Sequence, residues 1–198
     1  MDYSMMRQKI CDIGYKLWLR GFCPSNAGNI CVKVGDDEYL ATPTMTNKGA
    51  MTPDMIFKVN GKLEILEECA PYALTSEIRL HIRALEIRSK DGATASIHTH
   101  SPFCQLYSII GTASMKLEQE EMDELIGPRQ IPITPYAKFG TWELADTINE
   151  PMRDIPFVIL GHHGPLTVGK DLDEAFMLME AIEHSAKISY LLQLYKNK

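Results

Sequence analysis

Two clusters of histidine are the first residues in this sequence whose type and spacing could do chemistry. His98-Thr99-His100 closes the segment ATASIHTH, whose composition predicts a strand. Successive strand side chains alternate between faces, so both imidazoles should point to one side and Thr99 to the other. On its own a His-x-His pair is more often two surface or hydrogen-bonded histidines. The second cluster, Gly161-His162-His163-Gly164, follows the apolar strand Phe157-Val158-Ile159-Leu160, and its glycines let backbone and substrate come close. Four of the six histidines thus sit at two strand ends. Three imidazoles with one position left open are the ligand set of a catalytic zinc ion, which polarises oxygens as a Lewis acid without redox chemistry.

Glu77 lies in the first turn of an expected helix, behind Thr75 and Ser76. An acid at a helix start commonly does no more than complement the helix dipole. The same start offers two hydroxyls and free backbone N–H groups, a natural cradle for phosphate. Ser25-Asn26-Ala27-Gly28-Asn29 and Thr42-Pro43-Thr44 are two further polar loops at strand ends, each of which also reads as an ordinary turn.

The elements that must position these groups follow from periodicity. Met6, Ile10, Ile13 and Leu17 recur at helical spacing, with Gly21 as the residue beyond the helix end. NICVKV and EYLAT around Asp36-Asp37 predict a hairpin, and IFKV and KLEIL around Asn60-Gly61 a second one with a tight two-residue turn. Between them Thr52-Pro53-Asp54 reads as a helix cap with proline at the first position. A helix from Thr75 carries Ile78, His81, Ile82 and Leu85 on one face, and Ser101-Pro102 caps the helix FCQLYSII. RQIPIT and PFVIL are strands flanking a helix that begins near Thr141. A last helix opens with Asp171 and Glu174 as a capping box. The interleaving without regular βαβ units predicts an α/β fold in three layers, a central mixed or antiparallel sheet flanked by helices.

A chain of 198 residues suits one domain, read here as residues 1–198. Hydrophobic residues at 45% and charged residues at 23% are globular values. The net charge of -6, without a Lys/Arg cluster, speaks against nucleic acid or an anionic membrane as partner. No apolar stretch approaches the roughly 20 residues of a membrane span. The start MDYSMMRQKI lacks a signal-peptide pattern, and five cysteines with no Cys-x-x-Cys pair fit a reducing cytoplasm.

Together these segments resemble the class II aldolase/adducin family. The resemblance spans nearly the whole chain and rests on AGNICVKV, LATPT, TSEIRLH, ASIHTHSP, TPYAKFGTWELA and ILGHHGPLTVGKDLDEAF followed by a long helix. It implies His98, His100 and His163 as metal ligands, since the family's third histidine directly precedes glycine, with His162 a neighbour. It implies Gly28, Asn29, Thr44, Thr75 and Ser76 as the phosphate-binding residues and Glu77 as a metal-proximal acid/base. The ion implied is Zn2+, with Mn2+ or Co2+ as substitutes, in a homo-oligomer, most simply a cyclic tetramer. The activity implied is a cytoplasmic lyase of carbohydrate metabolism: an aldolase cleaving a ketose or deoxyketose phosphate to dihydroxyacetone phosphate and an aldehyde.

Other members epimerise, dehydrate or decarboxylate sugar phosphates through similar intermediates. Glutamate at position 77 points to the aldolases, because the epimerases carry aspartate there. A non-catalytic adducin-like module is the alternative from another class, and the intact histidine set argues against it. A zinc hydrolase would carry its acid beside the ligands, as in His-Glu-x-x-His, and that pattern is absent. The sequence departs from the family at Met45, where glycine usually lets an oxyanion approach, and at Asn26, where the aldolases have a hydroxyl residue. MKLEQEEMDELIG replaces a stretch bearing an aldolase tyrosine, and a carboxy-terminal arm with another is expected to be missing beyond Lys198. Glu120, Glu121 or Asp123 could border the cleft, although an acidic run reads first as a solvated face.

Overall fold

The structure is a computed structural model that describes residues 3–110, 113–116, 127 and 130–196, so Glu120, Glu121 and Asp123 lie outside the described residues. Two-residue alternation of apolar side chains produces the strands β1 (Asn29–Gly35), β2 (Glu38–Ala41), β3 (Phe57–Val59) and β4 (Ile65–Glu67) in the first half. They are followed by β5 (Ala95–His98), β6 (Ser114–Lys116), β7 (Gln130–Tyr136), β8 (Phe157–Gly161) and β9 (Gly164–Gly169). The strand order is β4-β3-β2-β1-β5-β9-β8-β7-β6. Among the described strands only β7 and β8 run parallel; the sheet is mixed, as expected, and it is open.

The helices are α1 (Ser4–Leu19), α2 (Ile78–Ile87), α3 (Pro102–Ile110), α4 (Trp142–Thr147) and α5 (Leu172–Lys196). Alternation sorts them into layers. Ile30, Val32, Leu40, Ile97, Phe157 and Ile159 face Ile10, Ile13 and Leu17 of α1, Cys104 of α3 and Met179 and Ile182 of α5. Cys31, Tyr39, Ala41, Val158, Leu160 and Leu166 face Ile78, Ile82 and Leu85 of α2 and Leu144 of α4. Truncating one of these fully buried side chains, Ile97→Ala for instance, should cost about 2–5 kcal/mol through lost burial and the cavity left behind.

Local signals held where the chain answers to its own neighbours. Gly21, at φ 74°, closes α1: its N–H donates to Trp18 and that of Phe22 to Leu17, both at 2.9 Å. Thr141 Oγ1 accepts from Leu144 N at 3.2 Å at the start of α4, and Asp171 Oδ1 accepts from Glu174 N at 2.9 Å at the start of α5.

Four expectations need correction. The helix after Thr52 is a single 3-10 turn, Pro53–Met55, and Thr52 makes no side-chain cap bond. The second hairpin does not turn tightly on Asn60-Gly61; Asn60 Oδ1 accepts from Lys62 N and Glu64 N at 3.1 and 2.9 Å, and Leu63 takes the left-handed conformation at φ 69°. The Asn60 side chain thus replaces the two-residue turn with a longer loop. Helix α2 begins at Ile78 rather than Thr75, which puts Glu77 at its N-cap position. Helix α3 is capped by Glu183 of α5, whose carboxylate accepts from Phe103 N and Cys104 N, both at 2.9 Å, and from Ser101 Oγ at 2.8 Å. A carboxylate at a helix start outcompetes the serine hydroxyl, which turns donor.

Strand β9 was not anticipated. It lies between β5 and β8, buried along its length, with glycine at both ends. A Cβ on Gly164 would stand 2.3 Å from the carbonyl oxygen of Thr99, and one on Gly169 2.5 Å from the backbone nitrogen of Ala175. These glycines punctuate the sequence as a loop would, yet each permits close packing of backbone.

Candidate metal centre and substrate cleft

The strand order brings the two histidine clusters together, because β9 pairs with β5 on one side and with β8 on the other. His98 ends β5 on the face turned toward α2, His100 follows two residues on, and His163 sits in the β8–β9 turn. Thr99 points to the other face, donating to Met179 Sδ at 3.2 Å, as strand alternation required. The three rings stand edge to face, with centroids 5.1 Å apart for His98–His100, 4.5 Å for His98–His163 and 4.9 Å for His100–His163. One ring nitrogen from each lies within 4.8 Å of the others, a group that could hold a metal ion. His162 is not part of it. At φ 55° its side chain turns outward into solvent, edge-on to Tyr136 with centroids 5.8 Å apart.

The donor chemistry suits a cation. His98 Nδ1 donates to the Pro165 carbonyl at 2.9 Å, so Nε2 carries the lone pair, and that atom is buried with no hydrogen-bond partner. Burial above all, with the neighbouring imidazoles, holds His98 well below its ordinary pKa and His100 down to about 4. Both are neutral near pH 7, the form that binds metal. Glu77 completes the ring, with Oε2 3.6 Å from His98 Nε2 and Oε1 3.5 Å from His163 Nε2. Glu77 Oε1 and His163 Nδ1 are also buried without a partner. The lone pair of His98 Nε2 and the Glu77 carboxylate face each other at 3.6 Å with no hydrogen bond between them, an arrangement that repels unless a cation joins them. The residues therefore fit a divalent ion of the Zn2+ class with Glu77 beside it.

Glu77 does not cap α2: its side chain makes no bond to the helix N–H groups. Instead Oε2 accepts from Asn29 Nδ2 at 2.8 Å, across 48 residues of sequence. The carboxylate is thus aimed away from the helix start and at the histidines, which the dipole-complement reading does not explain.

Beside this group opens a cleft of about 200 Å³. Gly28, Asn29, Thr44, Thr75 and Ser76 all line it, together with Glu77, His100 and His163. Gly28, at φ 77°, has no room for a side chain: a Cβ would stand 2.6 Å from Cys23 Sγ and 2.9 Å from the His98 carbonyl oxygen. Met45 keeps the left-handed backbone that glycine favours, at φ 53°, and is 76% exposed. The substitution has not blocked the loop, because the side chain stands in solvent at the cleft mouth.

Sequence reasoning passed over three contributors. Phe139 lines the cleft although 62% exposed; it lay unassigned within TPYAKFG. His81 is fully buried and hydrogen-bonded to Asn29; its spacing of four from Glu77 on one helix was the available signal. Lys48 is 1% exposed, and its Nζ donates to the carbonyl oxygens of Thr46 at 2.6 Å and Asn26 at 3.4 Å. It thereby ties together two loops that meet at the cleft. No ion pair involves Lys48 among the described residues, and burial pulls its pKa down to about 8.

This geometry has relatives. A family model, class II aldolase and adducin N-terminal domain, matches residues 8–190. The chain belongs to that family. An L-fuculose phosphate aldolase of Methanococcus maripaludis is 30% identical over 95% of this chain and 96% of its own length. A 3-oxo-tetronate 4-phosphate decarboxylase of Escherichia coli is 28% identical over 94% of this chain and 87% of its own. The crystal structure of L-fuculose-1-phosphate aldolase from Thermus thermophilus superposes with a TM-score of 0.81 at 24% identity, covering 96% of this chain and 95% of that one. The fold expected from the sequence is therefore the fold found, and none of the described helices is long and apolar enough to cross a membrane.

Proposed function

We propose that this chain is a divalent-metal-dependent aldolase, with Zn2+ as the preferred ion, that cleaves a ketose or deoxyketose phosphate into dihydroxyacetone phosphate and an aldehyde. The observation that carries the reading is the convergence of three imidazoles on a carboxylate 3.5 and 3.6 Å from two of them, at the floor of an open cleft. His98, His100 and His163 hold the ion, which when bound supplies Lewis acidity to a substrate carbonyl. Glu77 moves the proton: Oε2 is held by Asn29, and Oε1 is the free oxygen. Thr44, Thr75 and Ser76, with the backbone at Gly28 and Asn29, receive the phosphate on the cleft wall. Lys48 adds positive potential behind that wall.

The domain spans 1–198 on this reading and works as a homo-oligomer, in keeping with the half-exposed or exposed aromatic residues Tyr136, Phe139 and Trp142 on the surface. Five free, buried cysteines support a reducing compartment such as the cytoplasm. The deciding experiment is a screen of phosphorylated ketoses with the zinc-loaded protein, reading dihydroxyacetone phosphate by a coupled assay. Release of that product is expected. A second reading, decarboxylation of a 3-oxo acid phosphate, draws on the decarboxylase relative, whose identity to this chain is only 2 percentage points below the aldolase's (30% against 28%). Loss of the carboxyl group from a 3-oxo-tetronate 4-phosphate also leaves dihydroxyacetone phosphate, so the co-product decides: carbon dioxide from the oxo acid, with no aldehyde from any ketose phosphate, would select the second reading and overturn the first.

A further inference from the structure

Behind Glu77 a chain of hydrogen bonds runs between α2 and the strands β1 and β5 beneath it. Ser96 Oγ lies 2.8 Å from His81 Nδ1, His81 Nε2 lies 2.5 Å from Asn29 Oδ1, and Asn29 Nδ2 lies 2.8 Å from Glu77 Oε2. His81 and Ser96 are fully buried, and Asn29 is 7% exposed. None of these bonds is local: they cross 15, 52 and 48 residues.

The direction of the chain follows from its ends. Ionised Glu77 can only accept, so the amide of Asn29 must present its nitrogen to Oε2 and its oxygen to His81. An amide oxygen can only accept, so His81 must carry its proton on Nε2. Nδ1 is then a lone pair, and the Ser96 hydroxyl donates to it. Reversing any link sets two acceptors face to face in a buried site, which costs far more than an exposed mismatch.

We propose that His81 is a positioning residue for Glu77: fixed as the Nε2–H tautomer by Ser96, it locks the Asn29 amide so that Oε2 is always occupied and Oε1 alone is left without a hydrogen-bond partner to take a substrate proton. The inference rests on the reading of Glu77 as the acid/base and adds which oxygen acts and what selects it. His81 does not touch the cleft, so its effect on substrate passes through Asn29. Burial holds His81 down to a pKa of about 3, so the tautomer persists across the working range of pH. The other titratable groups on this face of the sheet are Cys31, which pairs with Ser96 and whose thiol burial pushes well up, and His98, which burial keeps neutral.

The test compares His81→Leu, which deletes the donor, with His81→Gln, whose amide can donate from about the position of Nε2. In zinc-loaded protein, His81→Leu should lower kcat by about ten- to hundredfold, the loss of one hydrogen bond in a charged network, with KM and zinc content nearly unchanged. His81→Gln should restore most of it. In a Glu77→Gln background, His81→Leu should have no further effect on kcat, whereas a role in folding alone would add its full cost. Long-range 1H–15N correlation spectra of histidine-labelled protein give a readout free of turnover. His81 should show a protonated Nε2 and unprotonated Nδ1 from about pH 5 to about pH 9. In asparagine-labelled protein the Asn29 side-chain amide signal should move in His81→Leu and return in His81→Gln. An Nδ1–H tautomer, or equal losses of kcat in the Leu and Gln variants, overturns the proposal. If wild type turns over none of the ketose phosphates, the proposed reaction fails, and the spectra alone decide whether the lock exists.

Discussion

His98 donates from Nδ1 to the carbonyl oxygen of Pro165 at 2.9 Å, and this one bond settles which nitrogen of the ring faces the cleft. The carbonyl belongs to β9, the strand that also carries the chain away from His163. A side-chain bond to the neighbouring strand therefore orients the His98 ring, and the same strand leads away from His163. Such outer contacts raise ligand basicity and hold ring orientation in metal sites generally.

From this arrangement each of His98→Ala, His100→Ala and His163→Ala should lose bound zinc, since two imidazoles hold the ion too weakly. His162→Ala should keep it, because that side chain stands in solvent beside Tyr136. Elemental analysis of the four purified variants checks the set. Zinc lost with His162 and kept without His163 would reverse the assignment within the pair.

Glu77→Gln preserves shape while removing the ability to take a proton. Turnover should fall by about a hundredfold or more, with zinc still bound. A residue that merely complemented the dipole of α2 would cost at most about 1 kcal/mol of stability and leave turnover intact. Activity, zinc content and melting temperature on this one variant separate the two roles.

Acid should unfold the protein partly through His81. Its folded pKa of about 3 lies below the ordinary 6.5, so between those values the unfolded chain binds the extra proton. The stability it contributes is fully present above about pH 6.5 and is lost as pH falls toward 3, a change on the order of 5 kcal/mol. Denaturant titrations at stepped pH should show His81→Gln with a flatter acid limb than wild type, whatever its stability at neutral pH. Parallel curves would show that His81 is not buried neutral.

Lys48 predicts a slope at the other end. Its folded pKa of about 8 lies below the ordinary 10.5, so the unfolded chain holds more protons in that interval and stability rises with pH across it. Burial raises Cys11 to about 11 and Cys23 to about 12, and these thiols work in the opposite sense above about pH 9. The difference between wild type and Lys48→Met isolates the lysine: it should shift in favour of wild type from pH 8 upward. An unchanged difference would place the ammonium in contact with water.

Much of this molecule was legible in one dimension. Alternation along ATASIHTH put His98 and His100 on one face before any partner was known, and the same rule put Ile30 and Cys31 in opposite layers. Gly21 closed α1 and Asp171 opened α5, since caps answer only to the few residues around them. The tertiary structure decided whatever depended on residues far apart in sequence. Glu77 left its own helix for Asn29, Glu183 displaced Ser101 as the cap of α3, and Gly164–Gly169 became an inner strand. In each case a local preference worth about 1 kcal/mol competed with burial of a charge or of unpaired backbone, which costs several times more when unsatisfied. The residue types pointed to a candidate metal site; only the order β1-β5-β9-β8 brought its histidines, its carboxylate and the hydrogen bonds behind them to one place.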